Sequence, residues 1–562
     1  MLALSFILIA SFFTVFTKAA YDIEFGTDDD LSRYVTASLT KDDQRPEIRA
    51  PLFEVVEHEP EKVTPGYWFV APYAHIKQEK HAARYYQACQ TGPAIYDSTG
   101  ELIWSGACLS NNQNTCDFRA FTANGSQYMS AIFSYYPAKD FVGRGVIFDD
   151  SMQIVQEVRP PNTMIPFNMH EFYVLDNGAT AMHIVQRVEL ADIAHLKLEK
   201  QFEGMTAGLV ANMVQKLEAA THKSHIAGIQ EVDLHTGEAI FSWWASDHIN
   251  LNTSTFPPRH LDGPYPNGWD WLHLNAIDKN SEGDYLITAR YTDAVYKVSG
   301  KDGHIIWTLG GLSSSFQLQS FNFTRPHDAR FVSSDETSET ITLLDNGGCE
   351  ESKSSDTSSA LIIHLDKSSH PWVATVRTRW TRPDNGQSDK RGNFQLLPNG
   401  NAFVGWSENS YISEHSPDGE VLMEAQFASD RFVTYRAYKF NFTSSPAEPP
   451  VLKGFAYGES PEKSVSVYYV SWNGATEVSY WEFYTKDDEL LGRVKRSGFE
   501  TMFQQSSRYV DQVYARALSA DNSVLGKTNM EEIRNPGGWP ADHTLMESIL
   551  QAADEEDGKD EL

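Results

Sequence analysis

Three histidines stand where side chains can converge. The turn signals Asp176-Asn177-Gly178, Asn280-Ser281-Glu282-Gly283 and Pro398-Asn399-Gly400, each flanked by alternating or β-branched apolar residues, predict hairpins. His170 opens the strand that ends at Asn177-Gly178, His273 the strand that ends near Asn280, and His327 the strand running towards Ser334. Folding the second hairpin about its turn sets Arg290, the last residue of Tyr285-Leu286-Ile287-Thr288-Ala289-Arg290, across from His273; the same arithmetic sets Asp345 and Asn346 opposite His327. A lone histidine at a strand start is usually structural, but three at one repeat position make a shared site. Three imidazoles with a guanidinium form a neutral or cationic funnel suited to a small anionic group such as sulfate, phosphate or carboxylate. A three-histidine zinc site is the competing chemistry. The fixed charge of Arg290 weighs against a dication beside it, so neither metal nor cofactor is expected.

Such a site needs a scaffold that gathers residues 170, 273, 290 and 327, and an internal repeat supplies one. Its unit is a short polar turn followed by an apolar strand. Copies begin at Asp97-Ser98-Thr99-Gly100, Asp233-Leu234-His235-Thr236-Gly237, Ser299-Gly300-Lys301-Asp302-Gly303 and Ser416-Pro417-Asp418-Gly419, with degenerate ones at Asp149-Asp150-Ser151 and Asp366-Lys367-Ser368-Ser369. With two hairpins per unit, six copies predict an all-β chain whose residues 61–445 form a six-bladed β-propeller; an array of β-sandwiches is the alternative. The insertion from Leu190 to His225 contains a helix-compatible stretch, Met205 to Lys223. After the linker Ser444-Ser445-Pro446-Ala447-Glu448-Pro449-Pro450, the segments Ser464–Trp472 and Tyr509–Leu518 read as strands of a small sandwich of fibronectin III or immunoglobulin type over 446–530. An amino-terminal segment, 21–60, precedes the propeller, and an acidic tail, 531–562, follows the sandwich.

The 562 residues are 41% hydrophobic and 22% charged, a globular composition. A net charge of −30 would repel a phosphate backbone, so nucleic-acid partners are excluded. The apolar run Leu2 to Phe16 and the small residues Ala19-Ala20 read as a signal peptide over 1–20, shorter than the roughly 20 residues of a membrane span. No later segment is apolar enough to span, so the mature chain is expected to lack a membrane segment. The final Lys559-Asp560-Glu561-Leu562 reads as a signal for the KDEL receptor, which together with the signal peptide predicts residence in the endoplasmic reticulum lumen. That compartment is oxidising, and Cys89, Cys108, Cys116 and Cys349 predict one local disulfide. Four sequons, at Asn124, Asn252, Asn322 and Asn441, could carry glycans.

The residues that mark the site also carry a family resemblance. Gly66-Tyr67-Trp68-Phe69-Val70-Ala71-Pro72-Tyr73, Asn168-Met169-His170-Glu171-Phe172, Asp270-Trp271-Leu272-His273-Leu274-Asn275, Ala289-Arg290-Tyr291, Arg325-Pro326-His327-Asp328-Ala329-Arg330 and Asp345-Asn346-Gly347 resemble the nucleotide-independent arylsulfotransferases, above all their fungal branch, from about Gly66 to Phe427. The resemblance implies a six-bladed propeller that moves a sulfuryl group from a phenolic sulfate ester to a phenol through a sulfohistidine. It implies His327 as nucleophile, His170, His273 and Arg290 as sulfate-stabilising partners, and Asn275 as a further polar contact. These residue types suit the reaction: fixed donors offset the charge that develops on the transferring oxygens, and a neutral imidazole is a competent nucleophile. His170 or His273 would take the acceptor's proton. Tyr291, Trp406, Trp269 and Trp271 could hold the aryl ring, or simply pack the blades. The other functional class is a propeller that binds an anionic glycan or glycoprotein without turnover. No cysteine lies in the Cys-x-Pro/Ala-x-Arg context of formylglycine sulfatases, Gly526-Lys527-Thr528 lacks the earlier glycine of a phosphate-binding loop, and no His-Glu-x-x-His occurs.

Overall fold

The computed structural model describes residues 34–36, 48–74, 89–134, 142–160, 167–191, 222–258, 268–349, 352–429, 432–506 and 508–535. The apolar amino-terminal run, the helix-compatible stretch up to residue 221, and the tail with Lys559 to Leu562 lie outside them. The described residues are all-β, their helical segments being three-residue 3-10 turns. No helix among them is long and apolar enough to cross a membrane. They fall into two compact units, divided between Phe442 and Thr443.

The first unit holds six sheets of four or five strands with a common order of four antiparallel strands; the added strands Trp269–Asp270 and Phe316–Leu318 of the second and fourth pair in parallel. In chain order the first spans residues 115–158, the second 172–244, the third 274–310, the fourth 327–381 and the fifth 393–427. The fourth and fifth each gain an outer strand from earlier in the chain, Phe316–Leu318 and Phe53–Glu57. The sixth joins the two ends of the unit: Phe432–Phe440 pairs with Tyr67–Ala74, which is followed by Ala94–Tyr96 and Leu102–Ser105.

All six repeat turns fall between the third and fourth strands of a sheet. The reason is local. Asp97, Asp149, Asp233 and Asp366 each accept from the backbone N–H two residues on, at 2.9, 3.0, 2.9 and 2.9 Å, which closes the turn by a side chain. Gly237, with φ +75°, supplies the left-handed residue that Asp233 needs four positions later to reverse the chain.

The sheets pack face to face, and strand alternation explains how. Ile287 and Tyr285 point towards Met182, Ile184 and Ile229 of the second sheet, while Leu286, Val295 and Trp307 point towards Ile341, Leu343 and Leu361 of the fourth. With both faces covered, the strand Tyr285–Ala289 is buried at every residue. The same arrangement joins sixth to first through Phe69, Trp104, Phe118 and Phe148, first to second through Ile147 and Phe172, and fourth to fifth through Trp380, Phe394 and Trp406. Cys89 and Cys108 form the one local disulfide; Cys116 and Cys349 are buried thiols.

The second unit has a three-stranded sheet, Val451–Gly458, Ser464–Ser471 and Glu500–Ser506, and a larger one built on Tyr480–Thr485 and Gln512–Leu518. Tyr468 and Val470 of the first share a core with Trp481, Phe483, Val513 and Ala515 of the second.

Candidate functional site

The strands that open the six sheets converge, and irregular backbone at that point lets adjacent residues face the same way. In a regular strand His327 and Asp328 would point to opposite faces. Here the pairing register slips between His327 and Arg330, with Asp328 at φ +55°. The same slip occurs between Cys116 and Arg119, with Asp117 at φ +52°, and between Thr434 and Ala437. His273, at φ +54°, sits just before its strand, and His170 two residues before its own. Such bulges re-aim side chains, and each left-handed non-glycine residue costs about 1 kcal/mol that the surrounding contacts must offset.

The histidines then assemble as the hairpin arithmetic predicts. The rings of His170 and His273 lie edge to face at 4.8 Å. The Arg290 N–H donates to the His273 carbonyl at 3.0 Å, which puts the two residues opposite each other. Each ring is oriented by its own partner: His170 Nδ1 lies 2.7 Å from Asn168 Oδ1, His273 Nδ1 2.5 Å from Asp270 Oδ2, and His327 Nδ1 2.6 Å from Asn346 Oδ1. Asn346 Nδ2 donates to the carbonyls of Ser388 and Arg391, so its Oδ1 must accept. His327 therefore carries its proton on Nδ1 and keeps a lone pair on Nε2. In this structure that lone pair accepts the Arg391 N–H at 3.1 Å. Burial, then the charges of Arg290 and His273, hold the His327 imidazole well below its ordinary pKa; burial, then His273 and His327, do the same for His170.

Several donors around these rings have no partner among the described residues: Arg290 Nε, Arg391 Nη1, Tyr73 Oη and Tyr435 Oη. Tyr435 lies edge to face with His170 at 5.4 Å, and Arg391 covers the Tyr73 ring at 5.4 Å. Buried donors without acceptors, beside the neutral rings of His170 and His327, can take an anion. No group of metal-ligating side chains occurs among the described residues.

One residue further along the strands lies a charge hub. Arg436 donates to Asp117 at 2.7 Å, Glu171 at 3.1 Å and the Asn275 carbonyl at 2.8 Å. Arg119 bridges Asp117 and Glu171, and Arg330 bridges Glu171 at 2.8 Å and Asp328 at 2.6 Å. Asp328 also takes the Phe394 N–H at 3.1 Å, so all six sheets meet in one network of three cations and three anions. Burial pushes the Asp117 carboxyl up, and Arg119, Arg436 and the Phe172 N–H overcome this to hold it well below the usual carboxylate range.

Residues 210–428 match the family model described as Arylsulfotransferase (ASST). The chain resembles the arylsulfotransferase family. The match holds His273, Arg290, His327 and Arg391 of the site, while His170, Tyr73 and Tyr435 lie outside it. No curated protein matches this arylsulfotransferase-like chain. Solved structures similar to it include apo AztD from Citrobacter koseri, at 9% identity over 80% of this chain and 100% of that one with a TM-score of 0.25. Others are a protein from Lactobacillus plantarum (9%, 67% and 100%, TM-score 0.33) and a catalytically inactive virginiamycin B lyase from Staphylococcus aureus with quinupristin (8%, 74% and 94%, TM-score 0.27).

Against the arylsulfotransferase-like reading, His170, His273, His327 and Arg290 are brought together. Tyr291 is beside them, its ring 4.8 Å from that of His273 and stacked on Phe256 at 3.9 Å. Asn275 is fully buried and donates to the Pro326 carbonyl at 2.8 Å, where it holds the residue before His327. Trp406 is a correction: it is fully buried between the fourth and fifth sheets, with its indole N–H on Ser413 Oγ at 2.8 Å, so it packs a blade-like core and cannot hold a substrate ring. Trp269 and Trp271 are likewise core. Trp406→Phe is expected to leave KM for an aryl substrate unchanged and to cost about 1–3 kcal/mol of stability through lost volume and the lost hydrogen bond to Ser413, whose hydroxyl keeps His415 Nε2 as a partner; steady-state kinetics with urea unfolding checks both. Arg391, Tyr435 and Arg436 are not legible in the sequence, since the first arrives from the connection into the fifth sheet and the other two from the sixth, with no turn or repeat to mark them.

Proposed function

We propose that the first unit is a six-bladed β-propeller, that the second is a β-sandwich, and that the propeller is a nucleotide-independent aryl sulfotransferase working through His327. What supports the blades is the succession of six like sheets, each packed on the next, with the two ends of the unit sharing the sixth. The observation that carries the chemistry is the fixed tautomer of His327. Nδ1–H is bound by Asn346 and the Arg325 carbonyl, at 2.6 and 3.0 Å, which leaves Nε2 as the only nucleophilic atom of a neutral ring.

In the first half-reaction Nε2 attacks the sulfur of an aryl sulfate, the S–Nε2 bond forms as the S–O(aryl) bond breaks, and the phenolate leaves and takes a proton from solvent water. Asn346 Oδ1 and the Arg325 carbonyl then stabilise the positive sulfo-imidazolium through Nδ1–H. In the second, the acceptor phenol's oxygen attacks sulfur, its proton passes to His170 or His273, and the S–Nε2 bond breaks. Arg290, Arg391, Tyr73 and Tyr435 are the donors for the sulfuryl oxygens. Attack requires the Arg391 N–H to leave Nε2, so the segment from Ser388 to Gly392 must shift before chemistry. That same hydrogen bond favours a second reading, an anion-binding propeller without turnover.

Peptide mass spectrometry after brief incubation with an aryl sulfate, at a pH that preserves the acid-labile S–N bond, separates the two. A sulfuryl adduct on the His327 peptide with release of free phenol is expected. Binding of the aryl sulfate with neither adduct nor phenol would leave only the binding reading.

A further inference from the structure

The converging strands carry three successive layers. From His327 the fourth sheet's strand passes Asp328 and Arg330 to Phe331 and Val332; the sixth passes from Tyr435 through Arg436 to Tyr438 and Phe440; the second, from His170 through Glu171 to Tyr173 and Val174. The histidines lie at one end, the charge hub in the middle, and beyond the hub opens a separate cavity of about 500 Å3. That volume lies within the roughly 300–1,000 Å3 of small-molecule sites.

Its walls are aromatic: Phe121, Tyr173, Phe331, Phe394, Tyr438 and Phe440 come from five different sheets. Its floor is Arg119, whose guanidinium lies 4.6 Å over the Tyr173 ring and 4.8 Å over the Tyr438 ring. Two lining side chains, Arg119 and Thr342, are 5% and 2% exposed, and Arg119 Nε and Thr342 Oγ1 have no partner among the described residues. Of the other polar lining residues, Arg330 and Asp328 pair with each other and Gln395 is held by the Lys439 backbone, so a buried N–H donor and a buried hydroxyl without partners, in a largely aromatic cavity, ask for a ligand that is flat, apolar and carries one polar group. Charge decides which group. Arg119 Nη2 is committed to both Asp117 and Glu171, the hub's three guanidinium groups face three carboxylates, and the protein carries −30, so no net positive charge is left over to hold a full anion. A hydroxyl has the capacities these two atoms call for, an acceptor for Arg119 Nε–H and a donor or acceptor for Thr342 Oγ1.

We propose that this cavity is a second binding site, distinct from the histidine site, for a small neutral aromatic alcohol. It does not depend on sulfuryl transfer, because the hub separates the two sites.

The test is titration of the full-length protein with 2-naphthol, followed by the probe's fluorescence, in wild type and in His327→Ala, Ala120→Trp and Val332→Trp. Ala120 lines the cavity and Val332, 45% exposed, stands at its rim, where a larger side chain closes the opening without touching the core. Saturable binding is expected in wild type and in His327→Ala, weakened at least tenfold in both tryptophan variants, with 2-naphthoate binding at least tenfold more weakly than 2-naphthol. Hydrogen exchange should show protection at 119–123, 328–334 and 394–396. Equal affinity in all four proteins, protection confined to 168–173 and 270–275, equal binding of the carboxylate, or no saturation of wild type below about 1 mM would each overturn the proposal.

Discussion

Arg436→Met is expected to destabilise the first unit by about 3–5 kcal/mol, because it removes one cation from a buried network and leaves three carboxylates facing two guanidinium groups. Urea unfolding at pH 7 followed by tryptophan fluorescence measures the loss. The pH dependence tells a charge imbalance from lost packing. In the wild type, Asp117 is held well below the usual carboxylate range, so its contribution is complete above about pH 4 and is lost only as the pH falls through the lowered value. In the variant one carboxylate lacks a cation, its pKa rises above the unfolded value, and stability is regained as the pH falls through that raised pKa. Pairing the change with Glu171→Gln restores the balance of charge. The double variant should therefore lose markedly less than the sum of the two single ones. Strict additivity, together with a pH profile parallel to wild type, would mean that the hub acts only by packing.

Replacing His327 by alanine should lower kcat/KM for sulfuryl transfer by at least about 10³-fold, some 4 kcal/mol of transition-state stabilisation, while aryl sulfate binding to Arg290, His170 and His273 persists. A variant that kept more than a tenth of wild-type activity would remove His327 from the nucleophile's role. The wild-type pH profile gives an independent check. Burial first and the Arg290 charge second disfavour the imidazolium of His327, so the ring stays neutral, and the nucleophile competent, as the pH falls below the free imidazole value of about 6.5. The acid limb of kcat/KM should accordingly lie below pH 6.5. An acid limb at or above that value would be at odds with a buried, Arg290-facing nucleophile.

How much of this was legible in the sequence depends on the range over which each feature is determined. The turns at Asp97, Asp149, Asp233 and Asp366 are closed by their own side chains within a few residues, so composition and spacing reveal them, and with them the count of sheets. The pairing of His273 with Arg290 follows from one hairpin. The site's remaining donors do not: Arg391 comes from the connection into the fifth sheet and Tyr435 from a strand whose partner lies near the amino terminus. Bulges add a second obstacle. Alternation predicts that His327 and Asp328 face opposite ways, and only the left-handed backbone at Asp328 lets one serve the site and the other the hub. Trp406 illustrates the converse, since a tryptophan close in sequence to a site reads the same whether it lines the opening or fills the core beneath it.

The sixth sheet has a consequence for how the protein is made. The Ala71 N–H bonds to Thr434, 363 residues away, so three strands near the amino terminus wait for a partner that emerges almost at the end of the unit. At roughly 5–20 residues per second of synthesis, that wait is on the order of 20–70 s. Throughout it, Tyr67–Ala74 has an unpaired edge, and Trp68, Phe69 and Tyr73 lack the residues that later bury them. The nascent chain is thus most vulnerable to misassociation at this early-made sheet, and the first unit becomes cooperative only when Phe432–Phe440 is delivered to Tyr67–Ala74.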